Sequence, residues 1–131
     1  MKRTRTSKSW MSEHISDSFV KQAQIDGYRS RAAYKLIDIN EKYNLFKKNM
    51  VVVDLGSAPG SWSQVAINKI GLKGKLFALD LLEMEPIKDV DFIQGDFRND
   101  EVLIEIENKL NNLKVDLVIS DMAPNISGIK V

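Results

Sequence analysis

Two spacings of apolar residues divide the chain. Up to about residue 48 the apolar positions recur at helical intervals, and from residue 50 they gather into short runs. Phe19, Val20 and Ala23 fall on one face of a helix predicted over 16–26, with Gly27 as the residue that ends it. A second helix is predicted from near Ser30 to about Tyr43. Ala33, Leu36, Ile37 and Asn40 form its apolar stripe, and Lys35 lies on the far side of the wheel. Met50–Leu55 (MVVVDL) is an apolar run broken only by Asp54, the signature of a strand buried on both faces of a parallel sheet. Gly56–Gly60 reads as a turn, and Ser61–Ile70 as a helix ended by Gly71. Further strands are predicted at Lys75–Leu79, Val90–Gln94 and Val115–Ser120, with a helix over about 100–112. Strand and helix alternate, so the fold class is α/β, a Rossmann-like parallel sheet with helices on both faces. Residues 1–11 carry no periodicity and read as a flexible tail before a single domain over 12–131.

Composition narrows the chemistry. At 131 residues, 44% hydrophobic and 28% charged, the chain suits one soluble globular domain. The absence of cysteine excludes disulfides, thiol catalysis and Cys-based zinc sites, and the single histidine, His14, does not make a metal site. No apolar run approaches the roughly 20 residues of a bilayer span. The basic start has no apolar stretch behind it, unlike a secretory signal, so a cytoplasmic protein is expected. The net charge of +1 hides an asymmetry. Residues 1–48 carry 11 Lys/Arg against 5 Asp/Glu, whereas residues 49–131 carry 8 against 13. A basic arm on an acidic body suits a polyanion partner, and a solvated tail would look the same.

The acids are not scattered. Each predicted strand delivers a carboxylate at its carboxyl end or just after it: Asp54, Asp80, Asp96 and Asp121. Ligands of parallel α/β sheets bind along that edge. A lone aspartate there is more often a turn or cap residue, but four together favour a binding site. The loop Gly56-Ser57-Ala58-Pro59-Gly60 lacks the middle glycine of a dinucleotide fingerprint, and carboxylates would repel a pyrophosphate. An NAD-dependent oxidoreductase is therefore disfavoured. S-adenosylmethionine suits the edge better, because acids can accept from its ribose diol and adenine amine and favour its sulfonium.

Four motifs carry a resemblance. Asp54-Leu55-Gly56-Ser57-Ala58-Pro59-Gly60-Ser61-Trp62-Ser63-Gln64 resembles the first motif of the FtsJ-type ribose 2′-O-methyltransferases. Ser30-Arg31-Ala32-Ala33-Tyr34-Lys35-Leu36, Gln94-Gly95-Asp96-Phe97-Arg98 and Ser120-Asp121-Met122-Ala123-Pro124-Asn125 resemble others, in order and with similar spacing from about Trp10 to Gly128. Within the family the likeness is greatest to the bacterial branch that methylates a uridine of 23S rRNA in the large ribosomal subunit.

The resemblance implies that Gly60 and Trp62 line the methionine side of an S-adenosylmethionine pocket. It implies that Asp80 accepts from the ribose, that Asp96 takes the adenine amine, and that Asp121 sits beside the sulfonium and the target. Lys35 and Asp121 would be two of the four members of the family's catalytic Lys-Asp-Lys-Glu set. Read without the resemblance, Lys35 is an exposed helix lysine and Trp62 a packing residue. An acid beside a lysine favours its charged form, so Lys35 is assigned to positioning and electrostatics. The family's base is a second lysine. Lys2, Arg3, Arg5, Lys8, Arg29 and Arg31 are candidate phosphate contacts on the RNA; no membrane and no obligate protein partner are implied. Two departures stand out. Ser61 replaces a usual second glycine, and the sequence stops at Val131, before the segment that carries the second lysine and the glutamate. The expectation is therefore a C-terminally truncated 23S rRNA ribose 2′-O-methyltransferase, a fragment or an eroded gene product that is inactive alone; the alternative is a non-catalytic remnant that at most binds cofactor or RNA.

Overall fold

The computed structural model describes residues 18–122. Residues 18–26 are helical (α1), followed by α2 (Ala32–Tyr43), β1 (Val51–Leu55), α3 (Ser61–Ile70), β2 (Lys75–Asp80), β3 (Val90–Gln94), α4 (Asp100–Leu110) and β4 (Leu117–Ser120). The four strands form one parallel sheet in the order β3-β2-β1-β4. Every predicted element is present. The fourth strand is shorter than predicted, because Val115 and Asp116 precede the ladder. Asp116 instead anchors its start: its N–H donates to the Val51 carbonyl at 2.8 Å, and its carboxylate accepts from the Val51 N–H at 2.8 Å.

Burial follows strand position. The central strands β1 and β2 are buried along most of their length, while β3 and β4 each bury a single residue, Ile93 and Ile119. Because successive residues point to opposite faces, the strands feed two cores. Val52, Leu76 and Ile119 pack with Ala33 and Leu36 of α2 and with Trp62, Val65, Ala66 and Ile70 of α3. Val51, Val53, Phe77, Leu79 and Ile93 face the other way, toward Val102, Ile106 and Leu110 of α4.

The first helix departs from its predicted face. Of Phe19, Val20 and Ala23, only Ala23 is buried, and the two larger side chains stay exposed. Its end matches expectation. Gly27 takes φ +84°, its N–H donates to the Gln24 carbonyl at 3.3 Å, and the Tyr28 N–H donates to the Ala23 carbonyl at 2.9 Å, the paired bonds of a Schellman cap. Among the described residues no helix is long and apolar enough to cross a membrane.

Candidate cofactor site

The loop after β1 turns back on β2. The N–H groups of Gly56 and Ser57 both donate to the Leu79 carbonyl, at 2.8 and 2.9 Å. Gly56 has φ +69°, and a Cβ there would come within 2.5 Å of the Met122 side chain, so glycine is needed both for the conformation and for the space. Gly60, at φ +115°, starts α3 and is equally confined: a Cβ would meet Ile87 at 3.0 Å, Arg29 at 3.1 Å and Met84 at 3.2 Å.

Two cavities flank this loop. The smaller, about 60 Å³, is lined by Ser30, Asp54, Ser57, Ser61, Trp62 and Asp121 among others. Asp54 is 1% exposed; its Oδ2 accepts from the Ser63 hydroxyl at 2.7 Å, and its Oδ1 has no partner. The buried Ser57 hydroxyl also has none. Burial pushes the Asp54 carboxyl up to about 6; the Ser63 hydrogen bond works against this, and the Asp121 and Asp80 charges add to it. Buried polar atoms without partners are uncommon and point to a missing ligand or water. The larger cavity, about 330 Å³, is lined by Leu79, Leu81, Phe97 and Met122, with Asp80, Asp96 and Arg98 at its polar side. A small polar cavity beside a larger apolar one suits a ligand with a charged end and a flat ring.

The predicted residues hold different stations. Asp80 lines the larger cavity and already accepts two backbone N–H groups, from Ala58 at 2.8 Å and from Leu82 at 2.8 Å. It therefore shapes the loop, and each oxygen keeps a lone pair for a ligand. Asp96 is gripped by Arg98, with guanidinium contacts of 2.8 to 3.2 Å to both carboxylate oxygens, and the Arg98 N–H adds a fourth contact at 2.9 Å. Those hydrogen bonds hold its carboxyl down near 2. Trp62 lines the small cavity, yet its indole N–H donates to the Ala32 carbonyl at 2.8 Å and its ring packs in the core. Ser61, the departure from the family pattern, is buried, and its hydroxyl shares a 2.8 Å hydrogen bond with Ser30. Lys35 and Asp121 do meet, at 3.7 Å, with the lysine side chain 66% exposed. An ion pair this exposed is worth about 0–1 kcal/mol, so it adds little to the stability of the fold.

Arg29 is engaged within the chain: its guanidinium donates to the carbonyls of Pro59, Glu85 and Pro86. Arg31 lies beside Phe19, Tyr34 and Lys35 in a surface groove. Lys2, Arg3, Arg5 and Lys8 lie outside the described residues. Sequence reasoning missed Arg98, Gln64 and the unpartnered state of Asp54. Gln64 and Arg98 left a trace, each as the last residue of a quoted motif, whereas nothing local signals the free oxygen of Asp54. Among the described residues, no group of three or more His, Cys, Asp or Glu could hold a metal ion.

Comparison with known proteins places this geometry. The family described as FtsJ-like methyltransferase matches residues 28–131. Ribosomal RNA large subunit methyltransferase E of Methylobacillus flagellatus is 62% identical over 129 residues, covering 98% of this chain and 62% of that protein. Its namesake in Nitrosospira multiformis is 63% identical over 131 residues, covering 100% of this chain and 64% of that protein. The chain thus spans less than two thirds of the length of the curated relatives it matches. A solved structure named as a ribosomal RNA methyltransferase of Plasmodium falciparum superposes with a TM-score of 0.66 at 40% identity, covering 73% of this chain and 57% of that one. On the family match and on these identities, the chain belongs to the FtsJ-like methyltransferases.

Proposed function

We propose that this chain forms the cofactor-binding part of an S-adenosylmethionine-dependent methyltransferase. Its target would be the 2′-hydroxyl of a uridine ribose in 23S rRNA of the large ribosomal subunit, and it would work in the cytoplasm without an obligate protein partner. The observation that carries this reading is the pair of cavities around 56–60, with the unpartnered Asp54 Oδ1 and Ser57 hydroxyl in the polar one. Asp54, Ser57 and Asp121 would hold the charged amino-acid end, Asp80 the ribose diol, and Leu79, Leu81, Phe97 and Met122 the adenine.

When bound, S-adenosylmethionine supplies a methyl group on a positively charged sulfur. The chain's own part is to hold and to orient. Asp121 lines the polar cavity and reaches out to Lys35, so the pair spans the path between the cavity and the surface. The Lys35 ammonium can donate to the ribose oxygen and fix its approach, and Asp121 holds that ammonium in place. Restricting two reactants to an in-line encounter is one of the largest single contributions available to an enzyme.

Calorimetric titration tests the reading. Asp80→Ala removes a ligand acceptor and two loop contacts, and it should weaken S-adenosylmethionine binding by about 1–3 kcal/mol, roughly 5- to 150-fold. Unchanged affinity would remove Asp80 from the site. Methyl incorporation into large ribosomal subunits from labelled cofactor, measured with a protein of the relatives' full length and lost in its Lys35→Ala and Asp121→Ala variants, would extend the reading to the reaction.

A further inference from the structure

We infer that Arg29 is a positioning residue for the cofactor loop: its guanidinium ties the loop at Pro59 to the segment at Glu85 and Pro86, and through that tie sets cofactor affinity. The inference rests on the reading of 56–60 as the cofactor loop. Three backbone carbonyls converge on the planar fork. One terminal nitrogen donates to Pro59 at 3.0 Å and to Glu85, and the other to Pro86 at 2.9 Å. Residues 81–89 belong to no helix or strand, so no ladder holds them. Carbonyl oxygens drawn together repel one another unless a cation sits between them. Arg29 supplies that cation, and it spends three of its five N–H donors on it.

The tie has a second end. The Arg29 backbone N–H donates to the Gln64 side chain at 2.8 Å, and the Gln64 amide donates to the Gly27 carbonyl at 3.0 Å. Ser30 bonds Ser61, and Trp62 bonds Ala32. The turn between α1 and α2 is therefore fastened to the first turn of α3, which the glycine loop leads into. Gly60 is enclosed by Arg29, Met84 and Ile87, so the loop cannot shift without disturbing the clip. A lysine cannot stand in, because a point charge on one nitrogen does not span acceptors that two nitrogens reach.

That difference separates the clip from a phosphate contact. Arg29→Lys in the intact protein keeps the charge and loses the fork. The expected result is S-adenosylmethionine binding weakened roughly tenfold. The KM for the cofactor should rise with kcat little changed, and the salt slope of RNA binding should be unaltered. Gln64→Ala, which removes no cation, should act in the same direction with smaller size. Amide exchange over 56–60 should quicken in both variants before any cofactor is added, with β1 and β2 unchanged. Unaltered cofactor affinity and loop exchange in Arg29→Lys would overturn the proposal. So would an RNA salt slope reduced by about 0.7–0.9, the share of one phosphate contact. If the unsubstituted protein bound no S-adenosylmethionine, the proposed function would fail, and loop exchange would still decide the clip.

Discussion

Helices α3 and α4 each lead from a loop at the carboxyl edge of the sheet, and they end very differently. The first buries Ser61, Trp62, Ser63, Val65, Ala66 and Ile70; the second buries no residue fully. α3 lies under α2 and against the two central strands, so its face is covered from both sides. α4 covers Val53, Phe77 and Ile93 and is itself covered by nothing among the described residues. Helical periodicity is similar in the two, so amphipathicity alone does not set how deep a helix sits. What differs is a second layer. On the α3 side that layer also brings the polar residues Ser30, Ser61, Ser63 and Gln64 into hydrogen-bonded places around the loop. The α4 side holds its loop with an exposed ion pair, Asp96 with Arg98.

The contrast can be broken by substitution. Trp62→Ala removes a buried ring and its bond to Ala32, and it should cost about 3–5 kcal/mol. Val102→Ala on α4 should cost about 1 kcal/mol. Equal shifts in urea midpoint would show that the two sides are equally packed. A smaller effect sharpens the comparison through Asp54. Its folded carboxyl titrates near 6, above the ordinary 3.8, so the folded state binds the extra proton between those values. Stability therefore falls as pH rises from about 4 to about 6, by up to about 3 kcal/mol, and stays lower above that. Asp54→Asn should be more stable than the unsubstituted protein by about 2–3 kcal/mol at pH 7, with the gain vanishing below pH 4. A gain that does not change with pH would mean that the ionised carboxylate carries no such cost. The smallest effect belongs to Asn99, whose side chain accepts the Glu101 N–H at 2.8 Å and caps α4. Asn99→Ala should cost about 1 kcal/mol and speed amide exchange over 100–110 only.

Most of the fold was legible because its signals are local. The run around Asp54, the glycine at each turn and the helical stripe of α2 each depend on neighbours within a few residues. The acidic edge followed from them. Phe19 and Val20 were misplaced for the opposite reason. Their period is helical, but whether anything covers them is a tertiary fact. The same limit applies to the site. Positions 54, 80, 96 and 121 could be read as an edge of acids, but not that Asp96 is engaged by Arg98 while Asp54 keeps a free oxygen. Arg29 shows the limit most clearly. A basic residue in a basic arm suggests phosphate, and only the arrival of Pro59, Glu85 and Pro86 from distant parts of the chain makes it an internal fastener.

The paired hydrogen bonds between Val51 and Asp116 have a consequence for how the sheet closes. Pairing β1 with β2 joins residues about two dozen apart, with α3 between them, and β3 follows on in chain order. Pairing β1 with β4 joins residues 65 apart. The entropy of loop closure grows as the logarithm of length, so this last closure costs about 1 kcal/mol more than the first. Asp116 offsets part of that cost at the start of the strand, where one carboxylate and one amide engage the same residue. Asp121 lies at the far end of the same strand. Asp54 and Asp80 reach the cavity edge through short-range connections, whereas Asp121, and with it the pairing to Lys35, depends on the longest closure in the sheet.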